Sequence, residues 1–254
     1  MTIEHLLLMI TVGIFAGFIN VMAGGGSLLT MPVLIFMGLP SATANGTNRI
    51  ALVFQSLTSI WNFRRKGIFD WKMSLWLSIP AVIGSIIGAS FAITISDALF
   101  QKILAVVMIV VVVFIVWQPQ KKLQQLNAPL SRGRKTLAVI IFFAVGLYGG
   151  FIQAGVGLLI IASATAVLGM SLVRANAMKM FVTGVYILCS FLIFVINGEV
   201  DWLLGLILAA GNSIGAWIGT HLAVEKGDKW VRAVLVIAVV LMALKLLGWF
   251  EPLF

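Results

Sequence analysis

Residues 6–48 read LLLMITVGIFAGFINVMAGGGSLLTMPVLIFMGLPSATANGTN, 43 positions without a single formal charge. A helix rises 1.5 Å per residue, so about 20 residues cross a hydrocarbon core of about 30 Å. The run is too long for one crossing and must break or fold back. Glycine admits backbone conformations that end a helix, which places the break at Ala23-Gly24-Gly25-Gly26-Ser27. A second uncharged run, Leu137–Val173, spans 37 positions and carries its own interruption, Ala154-Gly155-Val156-Gly157. A short apolar piece follows each break, Leu28–Leu39 and Leu158–Met170.

The composition agrees with a membrane chain. Of 254 residues, 61% are hydrophobic and 10% charged, with a mean hydropathy of +1.14. Soluble domains run at about 45–50% and about 25%. A globule of this size could not hide so much apolar surface from water. Soluble enzymes, nucleic-acid binders and disulfide-stapled domains are thereby disfavoured. The net charge of +9 comes from basic residues between apolar segments, which marks a cytoplasmic membrane side. Cys189, the single cysteine, reads as a buried apolar residue.

Further helices are expected at Thr43–Phe63, Trp71–Ile95, Ala98–Trp117, Asn176–Ile196, Trp202–Ala223 and Trp230–Leu247. Pro80 is expected to kink the helix that holds it. The first apolar stretch has no Lys or Arg ahead of it, so it reads as a retained membrane helix and not as a signal peptide. Continuous apolar runs exclude a transmembrane β-barrel. The fold class is all-α and polytopic.

The two halves are related. Asp70-Trp71 matches Asp201-Trp202 and Ala44-Asn45 matches Ala175-Asn176, at the offset of 131 that also relates Gly38 to Gly169, Gly67 to Gly198, Gly84 to Gly215 and Gly88 to Gly219. Gly17-Phe18-Ile19-Asn20 matches Gly150-Phe151-Ile152-Gln153 at an offset of 133. The chain thus divides into a first transmembrane repeat at 1–117, a basic cytoplasmic linker at 118–135 and a second repeat at 136–254. Each repeat holds four to five hydrophobic segments, with its glycine-broken helices near the midplane. An odd number of crossings per repeat puts every Lys and Arg inside except Lys102 and Lys245, once Arg49 and Lys179 within apolar helices are set aside. The positive-inside rule therefore favours inverted copies. Gly13/Gly17, Gly146/Gly150, Gly84/Gly88 and Gly215/Gly219 have the spacing of close helix packing.

Polar groups are costly in hydrocarbon, so those that recur in both copies form the candidate site. Asn20 and Gln153 end the first helix of each copy, and Asn45 and Asn176 open the next long helix. Asn48-Arg49 in the first copy is answered by Lys179 in the second. Broken helices leave N–H groups free and carry partial positive charge at their N-termini. In transporters built from repeats such breaks form the substrate site. The candidate binding set is Asn20, Gly24, Gly25, Gly26, Ser27, Asn45, Asn48 and Arg49 with Gln153, Gly155, Gly157, Asn176 and Lys179. Two such half-sites suit a small oxyanion. The competing readings are that Asn45 and Asn176 are helix N-caps, and that Arg49 and Lys179 snorkel to an interface. No membrane-embedded carboxylate is evident, which weighs against a proton relay and fits an anion as cargo. Gly24-Gly25-Gly26 lacks the Gly-Lys-Ser/Thr of a nucleotide loop. No metal site, cofactor or catalytic set can be assembled around His5 and His221.

The Gly17–Asn20 segment with Ala23–Leu29, Pro32 and Ala42–Asn48 resembles the sulfite exporter TauE/SafE family, also called the toluene-sulfonate uptake permease family. Gly149-Gly150-Phe151 and Ala175–Lys179 fit the weaker second copy, which departs in having Val156 amid its glycines and no serine after them. The resemblance implies a multi-pass carrier in the cytoplasmic membrane, moving sulfite, a sulfonate, sulfoacetate or a related anion. An anion channel, or a transporter of an unrelated small organic anion, is the alternative. The implied partners are the bilayer and the anion, with a proton as a candidate coupling ion, a homo-oligomer compatible with the chain, and no nucleic acid.

Overall fold

A computed structural model describes residues 3–117, 131–222 and 239–248. Its helices are α1 (Ile3–Ala23), α2 (Ser27–Phe36), α3 (Ser41–Arg65), α4 (Trp71–Ala92), α5 (Asp97–Trp117), α6 (Arg132–Phe151), α7 (Val156–Ala166), α8 (Leu172–Ile196) and α9 (Trp202–Leu222); residues 239–246 are also helical. Among the described residues there is no strand. α1, α4, α5, α6, α8 and α9 are each long and apolar enough to cross a membrane, the pattern of an all-helical polytopic membrane protein.

The expected segments recur with shifted ends. α1 runs three residues beyond Asn20, so that amide lies inside the last turn and does not end the helix. α6 starts at Arg132, making the last basic residues of the expected linker a first helical turn, with Ser131 Oγ accepting from the Arg134 N–H at 3.3 Å. α4 continues through Pro80 to Ala92. Residues 118–130, with Lys121 and Lys122, lie outside the described residues, as does the first half of Trp230–Leu247. α3 and α8 each hold 25 residues, and their bounds differ by 131 at both ends.

The helix surfaces are inverted relative to a soluble protein. On α4 the outward residues are Leu75, Ile79 and Ile83, whereas Ser74, Ser78, Ala81, Gly84, Ser85 and Gly88 face inward. Lipid is as apolar as leucine, so it leaves the large residues outside and small ones let backbones approach. A Cβ on Gly17 would lie 2.2 Å from the Asn212 oxygen, and one on Gly215 2.0 Å from that of Ile14, locking α1 to α9. α6 and α4 repeat the arrangement: a Cβ on Gly150 would lie 2.1 Å from the Ser85 oxygen, and one on Gly88 2.0 Å from that of Leu147. In both pairs the contacting numbers rise together, so the helices run parallel. The first helix of each half thus packs on the fourth helix of the other.

α3 and α8 run antiparallel, with Arg49 beside Ser190 and Ser56 beside Gly184. The starts of α3, α5 and α9 gather at one end: Thr43 donates to Glu199, the Ser41 N–H donates to Asp97 at 2.8 Å, and the Asp201 N–H to Thr47 at 2.8 Å. The opposite end carries Arg64, Arg65 and Lys66, where Lys66 Nζ donates to the Thr220 carbonyl at 2.9 Å. α1 starts beside the start of α9, and α2 leads back to the start of α3. α1 and α2 therefore make a hairpin that returns to the Glu199 end. α6 and α7 make its counterpart at the Arg64 end, where the Arg134 guanidinium donates to the Val167 carbonyl through Nε at 2.9 Å and Nη2 at 2.6 Å.

Candidate functional site

The tips of the two hairpins touch. Gly24, at φ +78°, packs on Gly157: a Cβ on Gly24 would lie 2.8 Å from the Gly157 carbonyl carbon, and one on Gly157 2.7 Å from the Gly24 Cα. Only glycine permits this approach, and the positive φ excludes other residues at Gly24 independently. Lys179 adjoins the contact, its Cδ standing 3.0 Å from the position of a Cβ on Gly157.

Each cation is fully enclosed and serves the other half. Lys179 on α8 is 1% exposed and donates to the Asn20 carbonyl at 2.7 Å, while the Asn176 amide donates to the Val21 carbonyl at 2.9 Å. Arg49 on α3 is 0% exposed and donates through Nη2 to the carbonyls of Gly150, at 2.5 Å, and Gly149, at 3.3 Å. The Asn45 amide donates to the Phe151 carbonyl at 2.7 Å. The last carbonyls of a helix lack intrahelical partners and carry the negative end of its dipole. Each amide–cation pair caps the C-terminal tip of the first helix belonging to the opposite half. Arg49 is held further by Ser190, 2.7 Å from Nη1, by Asn45, and by the Phe194 ring 4.5 Å below the guanidinium.

These positions overturn both competing readings. Asn45 and Asn176 cap the carbonyl ends of distant helices. The N-cap of α8 is Ser171, and Asn45 sits four residues inside α3. Arg49 and Lys179 lie among protein groups and do not reach an interface. Both cations already hold carbonyl oxygens, an arrangement their sequence positions did not announce.

The rest of the expected set divides. Asn48 accepts from Thr30 of α2 at 2.7 Å. Gln153 occupies φ 69°, the one positive φ outside glycine among the described residues, and its Oε1 accepts from Tyr186 at 3.2 Å. Such a conformation persists only where the surroundings enforce it. Gly25 and Gly26 accept from Leu28 and Leu29 in the first turn of α2, where Ser27 is buried. Gly155, at φ +74°, lies against the Val111 side chain of α5. Asn20, Gly24, Gly157, Asn176 and Lys179 are thus gathered at one tip, and Asn45 and Arg49 at the other. Asp70 and Asp201, members of the matched Asp-Trp pairs, are N-caps of α4 and α9, accepting from Met73 N–H at 3.1 Å and Leu204 N–H at 2.9 Å. Ser190, Tyr186 and Thr30 entered the site without a sequence signal beyond their helical spacing from duplicated positions. Among the described residues no carboxylate is buried, and no cluster of His, Cys, Asp and Glu could hold a metal.

Two helical hairpins thus meet inside a bundle of apolar helices, with a cation at each tip, in a polytopic membrane protein. The sulfite exporter TauE/SafE family model matches residues 9–246, and the chain belongs to that family. It is similar to a probable membrane transporter protein of Haemophilus influenzae, 30% identical with 98% of each chain covered. It is also similar to the probable membrane transporter protein YfcA of Escherichia coli, 29% identical over 93% of this chain and 87% of the relative. The probable membrane transporter protein YdhB of Bacillus subtilis is 26% identical over 84% and 87%. No solved structure matches the chain significantly.

Proposed function

We propose that the chain is a secondary transporter of a small sulfur-containing anion, such as sulfite, a sulfonate or sulfoacetate, working by alternating access in the cytoplasmic membrane. The observation that carries this reading is a pair of enclosed cations, Arg49 and Lys179, whose hydrogen-bond partners are carbonyl and side-chain dipoles with no carboxylate buried beside them. Dipoles hold a cation in place but leave its formal charge uncompensated. An anion arriving at the meeting tips supplies the missing charge, and charge-assisted bonds to its oxygens are among the strongest available.

The two halves act as inverted copies. The exchange of first helices between halves, the opposite ends to which the hairpins return, and the matched bounds of α3 and α8 all support this. One hairpin reaches in from each end, so rocking one half against the other exposes the tips to one side at a time. The family membership supports sulfur oxyanions as cargo.

The test is counterflow of labelled sulfite into vesicles holding purified protein. A carrier accumulates label against unlabelled sulfite trapped inside, and the accumulation disappears when the trapped sulfite is omitted. Flux that conducts current and shows no counterflow would replace the carrier by a channel.

A further inference from the structure

Beside the capped tips lies a layer of buried polar groups without a hydrogen-bond partner among the described residues. Gln55 of α3 is 1% exposed, and neither Nε2 nor Oε1 has a partner among the described residues. Asn212 of α9 is 1% exposed and is equally unpaired at Nδ2 and Oδ1. Ser59 Oγ, in a residue 0% exposed, is unpaired as well, and so is Nδ2 of Asn48.

The α3 members of this set share one face. A helix turns 3.6 residues per revolution, so positions 48, 55 and 59 of α3 fall within about 40° of one another. The stripe continues to Asn62, whose amide donates to Thr220 of α9 at 2.8 Å. Gln55 lies seven residues before Asn62 and Asn212 eight before Thr220. α3 and α9 run parallel, with Thr47 bonded to Asp201 and Ile50 against Gly205, so Gln55 and Asn212 stand at one depth on neighbouring helices. Asn212 on its other side packs against Gly17, one turn from the Asn20 carbonyl that holds Lys179. The duplication does not produce this layer. The counterpart of Gln55 is Tyr186, which is bonded to Gln153.

Native interiors leave few buried polar groups unpaired, because each forfeits its hydration without return. Two whole amides and a hydroxyl in one layer are therefore a cradle for a polar guest. Their inventory states the guest's chemistry. The amide N–H groups and the hydroxyl offer donors to anionic oxygens, while Oε1 of Gln55 and Oδ1 of Asn212 can only accept. A bare dianion would face those two oxygens without a proton to give them. No charged residue belongs to the layer, which suits a single negative charge better than two.

Resting on the transport reading above, we infer that Gln55, Ser59 and Asn212 form a binding station for the transported oxyanion, and that it selects a monoanion bearing a hydrogen-bond donor. Hydrogensulfite and sulfonates substituted with a hydroxyl or ammonium group meet that description. Arg49 and Lys179 supply the positive charge that draws the anion to the tips, and the amides add the contacts that choose among anions.

The experiment uses the full chain in vesicles and measures sulfite counterflow for wild type, Gln55→Met, Asn212→Leu and Gln55→Asn. The Met and Leu variants should raise the half-saturating sulfite concentration about tenfold or more, with an unchanged or higher thermal midpoint. Gln55→Asn, which keeps the amide, should fall between. In wild type 2-hydroxyethanesulfonate should compete with sulfite at a lower concentration than propane-1-sulfonate, and the variants should lose that order. Unchanged half-saturation and unchanged competitor order in all three variants would overturn the station while leaving the transport reading intact. Absence of counterflow in wild type with every probe would overturn both.

Discussion

Gly24 and Gly157 meet backbone to backbone, at a distance that leaves no room for a methyl group on either. Gly24→Ala should therefore be more damaging than Gly157→Ala, because it adds a strained φ to the overlap. We expect Gly24→Ala to lower the thermal midpoint in detergent and to reduce sulfite counterflow at least about tenfold. The control is Gly38→Ala, which shares a positive φ but would place its Cβ in open space. It should cost stability without abolishing transport.

The cations make a paired prediction. Lys179→Met and Arg49→Met should each impair transport more than folding. Removing one donor takes a charge-assisted bond worth about 1.5–3 kcal/mol from the tip of the opposite half, but the neighbouring Asn176 or Asn45 amide still holds part of that tip. Thermal unfolding and counterflow on the same preparation check this. Wild-type flux in both variants would show that neither charge takes part.

Asp70 and Asp201 hold the first turns of α4 and α9 in the same way. Loss of either side chain in Asp70→Ala or Asp201→Ala should cost about 1 kcal/mol, the usual value of an N-cap. For a chain of this size that is a fall of about 2–4 °C in the thermal midpoint. Near-equal falls for the two variants are expected.

Topology has its own test. In a Cys189→Ser background, cysteines at Lys66 and Asn197 should react with an impermeant maleimide from opposite sides of the membrane. Both residues are exposed and sit at opposite ends of the bundle. Asn197 serves better than Gly198, whose φ of +73° favours glycine. Labelling from the same side would contradict three crossings between these ends and the inverted arrangement with them.

Much of the fold was legible in the residues. Uncharged runs longer than one crossing demanded breaks, and the breaks lie at the glycines. Repeated Asp-Trp and Ala-Asn pairs foretold helices with matching bounds, and small residues four apart marked the tightest crossings. The exchange between halves was not legible, because an offset of 131 relates residues by copy and says nothing about which tip a side chain meets. α3 reads in the sequence as a helix over 43–63, two residues short at each end. It is the least apolar of the long helices, so hydropathy alone does not mark it as a crossing helix. Gln55 and Asn212 escaped notice because they have no duplicated partner. Their significance lies in what they fail to bond, which only coordinates reveal.

The reciprocal capping also orders the birth of the chain. The α1 tip leaves the ribosome long before Asn176 and Lys179, the residues that satisfy its carbonyls. Until α8 is made the hairpin lacks these side-chain bonds, and only α8 completes it. Severed at the linker, neither fragment would carry the side chains that reach the tip of its own first helix.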